Sequence, residues 1–414
     1  MDDRIFLMHC RSYHDILHQL TSAMESFHDI LPSDRKARIL IKPNLNSNMN
    51  ALTGNTTDLR LLSAVISYLK MSGYSDITIG EGTNSGFYRN NIGIISRLGV
   101  DRLARYYGIR TSDLNYSKPK EIVFKNNVHA NVAQLCFEVD FFINMPKLKT
   151  HFEVGMSVCL KNLMGCLIGQ ENKKKTHDDL PENILLLNQA VRPHLHIVDA
   201  LIAMEGLGPT RGTPLCLDTV IIGRNPYLVD LLCCQMAGFK FQNIRTLALA
   251  EKKGLLTQHH HEKTRQIIES ITVHPFKKPD PGPLAAFIHH PNRQKFFLKI
   301  RNTPFFTCLA STDWFGNLLF LTGLRQDVFI KDEMDIKHLL LDQDKCNHCG
   351  VCRQICPIGL YFPDHVETQE SCLKCLYCLS VCPNSAISYN GSPGFFTEQE
   401  RQYHDHIHAM FHQQ

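Results

Sequence analysis

No apolar run in this 414-residue chain approaches the roughly 18 residues that a membrane-spanning helix needs. The N-terminus, Met1-Asp-Asp-Arg, is charged and has no long apolar stretch behind it, so no signal peptide is expected. No G-x-G-x-x-G follows a strand pattern, no G-x-S-x-G elbow occurs, and the C-x3-C-x2-C triplet of radical chemistry is missing. Net charge is small as well: the formal +4 argues neither for nor against nucleic acid, no nucleic-acid partner is expected, and the one lysine run, Lys173 to Lys175, reads as a solvated loop. These absences leave a cytoplasmic protein without a short dinucleotide or nucleophile motif. Flavin stays open, because flavin pockets need not carry a short motif.

Cysteine is plentiful, with 16 in the chain. Cys10, Cys136, Cys159, Cys166, Cys216, Cys233, Cys234 and Cys308 are scattered without framework spacing and read as buried thiols. The other eight form C-x2-C-x2-C-x3-C-P written twice, at Cys346, Cys349, Cys352, Cys356 and at Cys372, Cys375, Cys378, Cys382. Three thiolates on a tight loop reach three irons of one cubane, and the cysteine before the proline points across to the other cluster. Cys346, Cys349, Cys352 and Cys382 are thus expected to hold one 4Fe–4S cluster, and Cys372, Cys375, Cys378 and Cys356 a second. Zinc or disulfide cysteines are the alternative, but zinc knuckles pair C-x2-C without two triplets each followed by x3-C-P. The run resembles a bacterial-type two-cluster ferredoxin.

A chain this long holds more than a ferredoxin. Residues 4–10 read as a first strand and residues 13–30 as a helix, followed by a strand over 38–44 and a helix from Asp58 to Met71. Ile77 to Gly82, Asp140 to Met145, His196 to Ala200 and Thr219 to Gly223 read as further strands. Pro226 to Ala237 and residues 241–256 read as helices. This alternation predicts an α/β domain with a mixed or mainly parallel sheet covered by helices, plus a small α+β bicluster ferredoxin-like domain. The expected boundaries are an α/β pocket domain over 1–256, a partly helical connecting and docking region over 257–339, the two-cluster domain over 340–390 and a polar tail over 391–414. His259 to His261 reads as a loop, and His404, His408 and His412 as part of the solvated tail.

In such sheets ligands sit at the carboxyl ends of the strands, and four segments there read as loops. They are Lys42-Pro43-Asn44, Glu81 to Gly86, Pro146 to His151 with Lys161 to Gly165, and Asp199 to Pro214. Glycines let backbone N–H groups approach an anion, and lysines add point charge. Lys42, Asn44, Glu81, Gly82, Thr150, Asn162, Gly206, Gly208, Arg211 and Gly212 are therefore the expected binding residues for a small carboxylate or phosphate. Lys147, Lys149, His151, Lys161, Asp199 and Glu205 are the expected proton movers or nucleophiles. Taken singly, each has a plainer reading as a solvated lysine, an ordinary turn or a cap. Asp230 and Cys233-Cys234 read as core.

The order K-P-N, P-K-L-K-T-H, L-K-N-L-M-G and D-A-L-I-A-M-E-G-L-G-P-T-R-G-T-P resembles the family called domain of unknown function 362, over about residues 38–256. That resemblance implies a domain often fused to a two-cluster module and no settled reaction. The fusion itself points to an oxidoreductase fed by a ferredoxin- or flavodoxin-type donor, since a tether raises effective concentration. The rivals are a non-catalytic electron carrier or assembly protein, and an enzyme whose clusters are only structural.

Overall fold

The computed structural model describes residues 2–83, 87–88, 90–280 and 330–412, with scattered positions between 287 and 319. In chain order the strands are β1 (Ile5–His9), β2 (Ile39–Lys42), β3 (Ile77–Glu81), β4 (Arg110–Asp113), β5 (Pro119–Phe124), β6 (Val128–Ala133) and β7 (Phe141–Asn144). They continue as β8 (Lys147–His151), β9 (Gly155–Ser157), β10 (Leu195–Glu205), β11 (Thr213–Gly223), β12 (Asp335–Leu341) and β13 (Ile387–Ser392). The main sheet runs β1-β11-β10-β7-β2-β3-β4, with β8 paired to β10 and β9 to β8. The pairs β10–β7, β7–β2, β2–β3 and β3–β4 are parallel, while β1–β11 and β11–β10 are antiparallel. The sheet is mixed and mainly parallel, with helices packed on it. β2, β3 and β7 are buried along their whole lengths, as expected of strands covered on both faces.

Local chemistry sets the helix starts. Ser12 and Asp15 form a capping box ahead of Tyr13–Glu25. Asp58 caps Leu59–Met71 through Arg60 N, and Asn225 caps Pro226–Met236 with proline in the first turn.

Several expected loops are regular structure. Lys147 to His151 is strand β8, because the chain passes Met145-Pro146 and re-pairs with the far half of β10. Asp199 to Glu205 and Thr213 onward are likewise strand, leaving only residues 206–212 as the turn between β10 and β11. Lys173 lies in a helix, Gly169–Thr176, and is buried. His259 to His261 lies in helix Gln258–Ile268, where buried His260 supplies the cap interaction to Thr257 N. Residues 241–256 hold a short turn and a helix, Arg245–Lys252, in place of one helix. The expected aromatic stretch from Phe296 to Phe329, and Cys308, fall almost wholly outside the described residues.

The polar tail is a correction of larger consequence. Residues Phe396–His412 form a helix whose Tyr403 and Ile407 enter the core beside Met8, Leu20 and Leu52. Tyr403 donates its hydroxyl to Thr210 O at 3.1 Å, and Gln399 accepts from Asn50 N at 2.8 Å. Polar residues dominate the segment, yet Tyr403 and Ile407, with Phe396 buried in the small module and Met410 and Phe411 packed against the large core, give an amphipathic helix a docking face. Ile355, Leu373, Tyr377 and Val381 of the cysteine-rich module belong to the same core. The two parts of the chain share one hydrophobic interior. Ile407→Ala is expected to cost about 2–4 kcal/mol of stability, the usual range for a buried isoleucine. A shift below about 0.5 kcal/mol in a denaturant melt would mean the helix is only a surface appendage.

Candidate functional site

The residues singled out at the strand ends do converge, but largely on one another. Lys42, at the end of β2, has Nζ 2.9 Å from the Glu81 carboxylate at the end of β3, and both are buried. Gly165 lets that pair form, since a Cβ there would stand 2.0 Å from Glu81 Oε1 and 2.7 Å from Lys42 Nζ. On the opposite side of Pro146, Lys147 donates to Asp199 Oδ2 at 2.9 Å, with neither side chain exposed. The same carboxylate accepts Asp58 N at 2.6 Å and Leu201 N at 3.1 Å. Burial pushes the Asp199 carboxyl up, against the pull of Lys147. Burial also pushes Asp58 up, but Arg60, with Nη2 2.8 Å away, holds it below the usual carboxylate range. An ammonium inside a protein costs several kcal/mol unless paired, and these pairs meet that cost.

Lys149 is coordinated by Asn44 Oδ1, Asn46 Oδ1 and Asn55 O at 2.7–2.8 Å. Asn44 donates to Asn162 Oδ1, and Asn162 donates in turn to Asn144 Oδ1 at 2.7 Å. Asn144 stands 3.0 Å from His196 Nδ1, and burial drives that imidazole down to about 3. Sequence reading passed over Asn144, His196, Asp58 and Arg60, whose roles depend on partners distant in the chain.

The expected anion-binding glycines are otherwise engaged. Gly82 N donates to Glu81 Oε1, Gly206 N to Lys277 O, and Gly208 N to Gly206 O. A Cβ on Gly208 would lie 2.1 Å from Thr150 O, and one on Gly212 would lie 2.2 Å from Glu205 O. Close backbone packing explains these glycines. Thr150 donates to Gly206 O, and Glu205 binds Lys277 through both its backbone N and its Nζ. Arg211 is half-buried near Tyr403, and burial lowers its guanidinium.

A second cluster sits at the partly open rim. Buried His151 accepts Glu153 N on Nδ1 at 3.1 Å, so its neutral ring carries the proton on Nε2. Burial and neighbouring Lys161 push His151 well below its usual range. Lys161 is itself lowered by burial, and its Nζ lies 3.5 Å from Met164 Sδ. Burial pushes Glu153 up, but His177, 3.5 Å away, holds it low. Lys173, read from sequence as solvated, donates to Gly82 O, Thr83 O and Asn115 Oδ1 at 2.6–3.0 Å. Burial brings its ammonium down to about 8. Farther off, Asp230 accepts Cys159 N and Leu160 N, and burial raises it to about 7.

The eight motif cysteines line two cavities. Cys346, Cys349, Cys352 and Cys382 border one, with Asn347, His348 and Tyr361. Cys356, Cys372, Cys375 and Cys378 border the other, with Cys352 also at its edge. The two linings thus divide the motif thiols with Cys352 shared between them, and thiols are the donors that a 4Fe–4S cluster takes.

Two outcomes test this reading of the polar layer. Lys147→Met should cost about 3–5 kcal/mol by stranding the Asp199 carboxylate, and Lys147→Met with Asp199→Asn should recover more than half. A freely accessible substrate lysine would change stability little. Asp230 holds its proton in the folded state between its ordinary 3.8 and about 7. The unfolded chain binds fewer protons in that window, so this group's contribution to stability falls as pH rises from about 4 to 7. Thermal melts of Asp230→Asn and the parent at pH 5 and pH 8 should show the variant gaining relative stability at the higher pH.

Comparison with known proteins agrees with this division. Residues 339–361 match the model of a 4Fe–4S binding domain. The sequence is 28% identical over 133 residues to the thylakoid-associated protein sll1697 of Synechocystis sp., covering 31% of this chain and 41% of that protein. It is 32% identical over 59 residues to one subunit of the anaerobic dimethyl sulfoxide reductase of Haemophilus influenzae, covering 13% and 29%. The matches thus span less than half the length of either relative. A solved lactate racemase apoprotein from Thermoanaerobacterium thermosaccharolyticum aligns over 58% of this chain and 57% of its own, at TM-score 0.39 and 12% identity. That level of likeness carries no inference about a site. Among the described residues no helix is long and apolar enough to cross a membrane. Residues 39–235 match the model of the domain of unknown function DUF362, so the chain carries a region similar to that domain as well as the region similar to 4Fe–4S binding domains.

Proposed function

We propose that this protein is an iron–sulfur oxidoreductase that takes low-potential electrons from a ferredoxin- or flavodoxin-type donor and reduces a small anionic organic substrate held by the α/β domain. The observation that carries the reading is the pair of four-cysteine cavities, one of them built into the large domain's own core. Cys346, Cys349, Cys352 and Cys382 would hold one 4Fe–4S cluster and Cys356, Cys372, Cys375 and Cys378 the other. Each bound cluster supplies one-electron chemistry.

The large domain supplies charge and protons. Lys42 and Lys147 are committed to buried carboxylates, so they support the layer more than they meet a substrate. The rim differs. Lys161 is partly exposed, next to a neutral His151 whose Nε2 carries a proton, with Glu153 and His177 alongside. A substrate carboxylate or phosphate would gain from the Lys161 ammonium, and His151 or Lys161 would deliver protons as electrons arrive. Lys149, two residues before His151, donates to Asn44, which donates to Asn162, the neighbour of Lys161 in the chain.

A second reading, a non-catalytic electron carrier or assembly protein, draws support from the internal commitment of Lys42, Lys147 and Lys149. Native mass spectrometry of anaerobically purified protein separates the two. Mass for two cubanes plus a retained small acid, lost in Lys161→Gln, is the result expected for the oxidoreductase. Two cubanes alone, with Lys161→Gln indistinguishable from the parent in mass and in binding of added carboxylates, would favour the carrier. Fewer than two cubanes in unoxidised protein would overturn the cluster assignment.

A further inference from the structure

The two cysteine cavities are not equivalent. The loop around Cys346 and Cys349 is open: Asn347, His348 and Cys349 are exposed, as are Asp344, Lys345 and Arg353. The loop around Cys372 and Cys375 is clasped by the large domain. Asn50 Nδ2 lies 3.4 Å from Cys375 O, the Tyr377 hydroxyl accepts Leu59 N at 3.3 Å, and Arg102 Nε donates to Leu373 O at 2.6 Å. Cys375 and Cys378 pack against the large core, Cys378 and Cys372 also touch the small module's own core, and Cys352 and Cys382 pack within the small module alone. There is thus an inner site and an outer site, and the outer one is where a soluble redox protein can approach.

Arg102 has more to give than its one bond to Leu373. Its Nη2 is buried and has no hydrogen-bond partner among the described residues. A guanidinium N–H stranded inside a protein costs on the order of 1–3 kcal/mol or more, so the fold retains it only if something receives it. Its Nε already holds the carbonyl of Leu373, the residue that follows Cys372, which sets the guanidinium against the loop of the inner site. Thiolate and sulfide sulfurs accept N–H hydrogen bonds, and such bonds stabilise the reduced, more negative cluster and raise its potential. Arg presents several donors in a rigid fork, so one can hold the loop while another faces sulfur.

We propose that Arg102 completes the inner four-cysteine site, donating its Nη2–H to a sulfur there and setting that site's potential above what its thiolates alone would give. Arg102 reaches across from helix Val100–Tyr107 of the large domain. The proposal rests on the two-cluster reading above, and the experiment keeps the two failures apart.

The test is an anaerobic redox titration of the full-length holoprotein followed by electron paramagnetic resonance, after an iron count of about eight per chain. Arg102→Gln should shift one of the two midpoint potentials to a more negative value and leave the other in place. Arg102→Lys, which keeps charge without the fork, should shift the same potential in the same direction by less. Both potentials unmoved, or both moved together, would overturn the role of Arg102. An iron count near four in the parent would instead sink the two-cluster reading. If Arg102→Gln fails to load, the parent alone still decides whether the sites differ as required. Stepwise iron removal by a chelator, with alkylation of the freed thiols and peptide mapping, should label Cys346, Cys349, Cys352 and Cys382 before the other four. Simultaneous or reversed labelling would mean the large domain does not shield the inner site, and the proposal falls with it.

Discussion

Burying an ammonium is the constraint on which the rest of this structure depends. Lys42, Lys147, Lys149 and Lys173 all lie inside the protein, where an uncompensated charge costs several kcal/mol. Each compensation reaches across the fold. Lys42 needs β3 for Glu81, Lys147 needs the middle of β10 for Asp199, and Lys149 needs three separate points of the loop after β2. Strand order, the bend at Pro146 and the close glycine approaches all bring those partners together. The polar layer at the strand ends is as much a part of the fold as the apolar core beneath it, and function has to be built on what the layer leaves uncommitted.

That remainder is small and sits at the edges. On one edge Lys161 stands partly exposed near buried His151, both with depressed basicity, while neighbouring Glu153 is held by His177. On the opposite edge the layer meets the cysteine-rich module, where Leu59 N donates to Tyr377 directly beside the Asp58, Arg60 and Asp199 group. The module is therefore no bead on a linker. Its inner loop, Tyr377 and the C-terminal helix share the large domain's hydrophobic interior, which holds the inner cysteine set at a defined place relative to the α/β layer. A flexible tether would raise encounter frequency; a shared core does more, because it removes the search altogether.

Much of this was legible in the residues. Alternation of apolar runs and helical spacing located most of the parallel strands, and the doubled cysteine spacing grouped the thiols much as the linings of the two cavities do. The convergence of Lys42, Asn44, Lys149, Asn162 and Asp199 was also readable from their places at predicted strand ends. Their partners were not. A lysine after a strand looks solvated or substrate-seeking until its partner is known, and Glu81 lies 39 residues from Lys42 and Asp199 lies 52 from Lys147. Lys173 looked like part of a charge run because two of its neighbours do face water. The tail looked loose because Tyr403 and Ile407 are few among many polar side chains. Strand β8 looked like a loop because Pro146 marks a bend in a strand path that continues.

The sequence by itself determined the elements with local causes: the capped helices, the buried parallel strands and the two tight cysteine loops, all of which follow from spacing within a few residues. Only the tertiary structure decided which lysines are spent on buried carboxylates, which glycines are packing contacts, and which cysteine loop faces the large domain. Those outcomes depend on groups far apart in the chain arriving within hydrogen-bond distance of each other. The strength of such an encounter comes from the low-dielectric interior that folding creates.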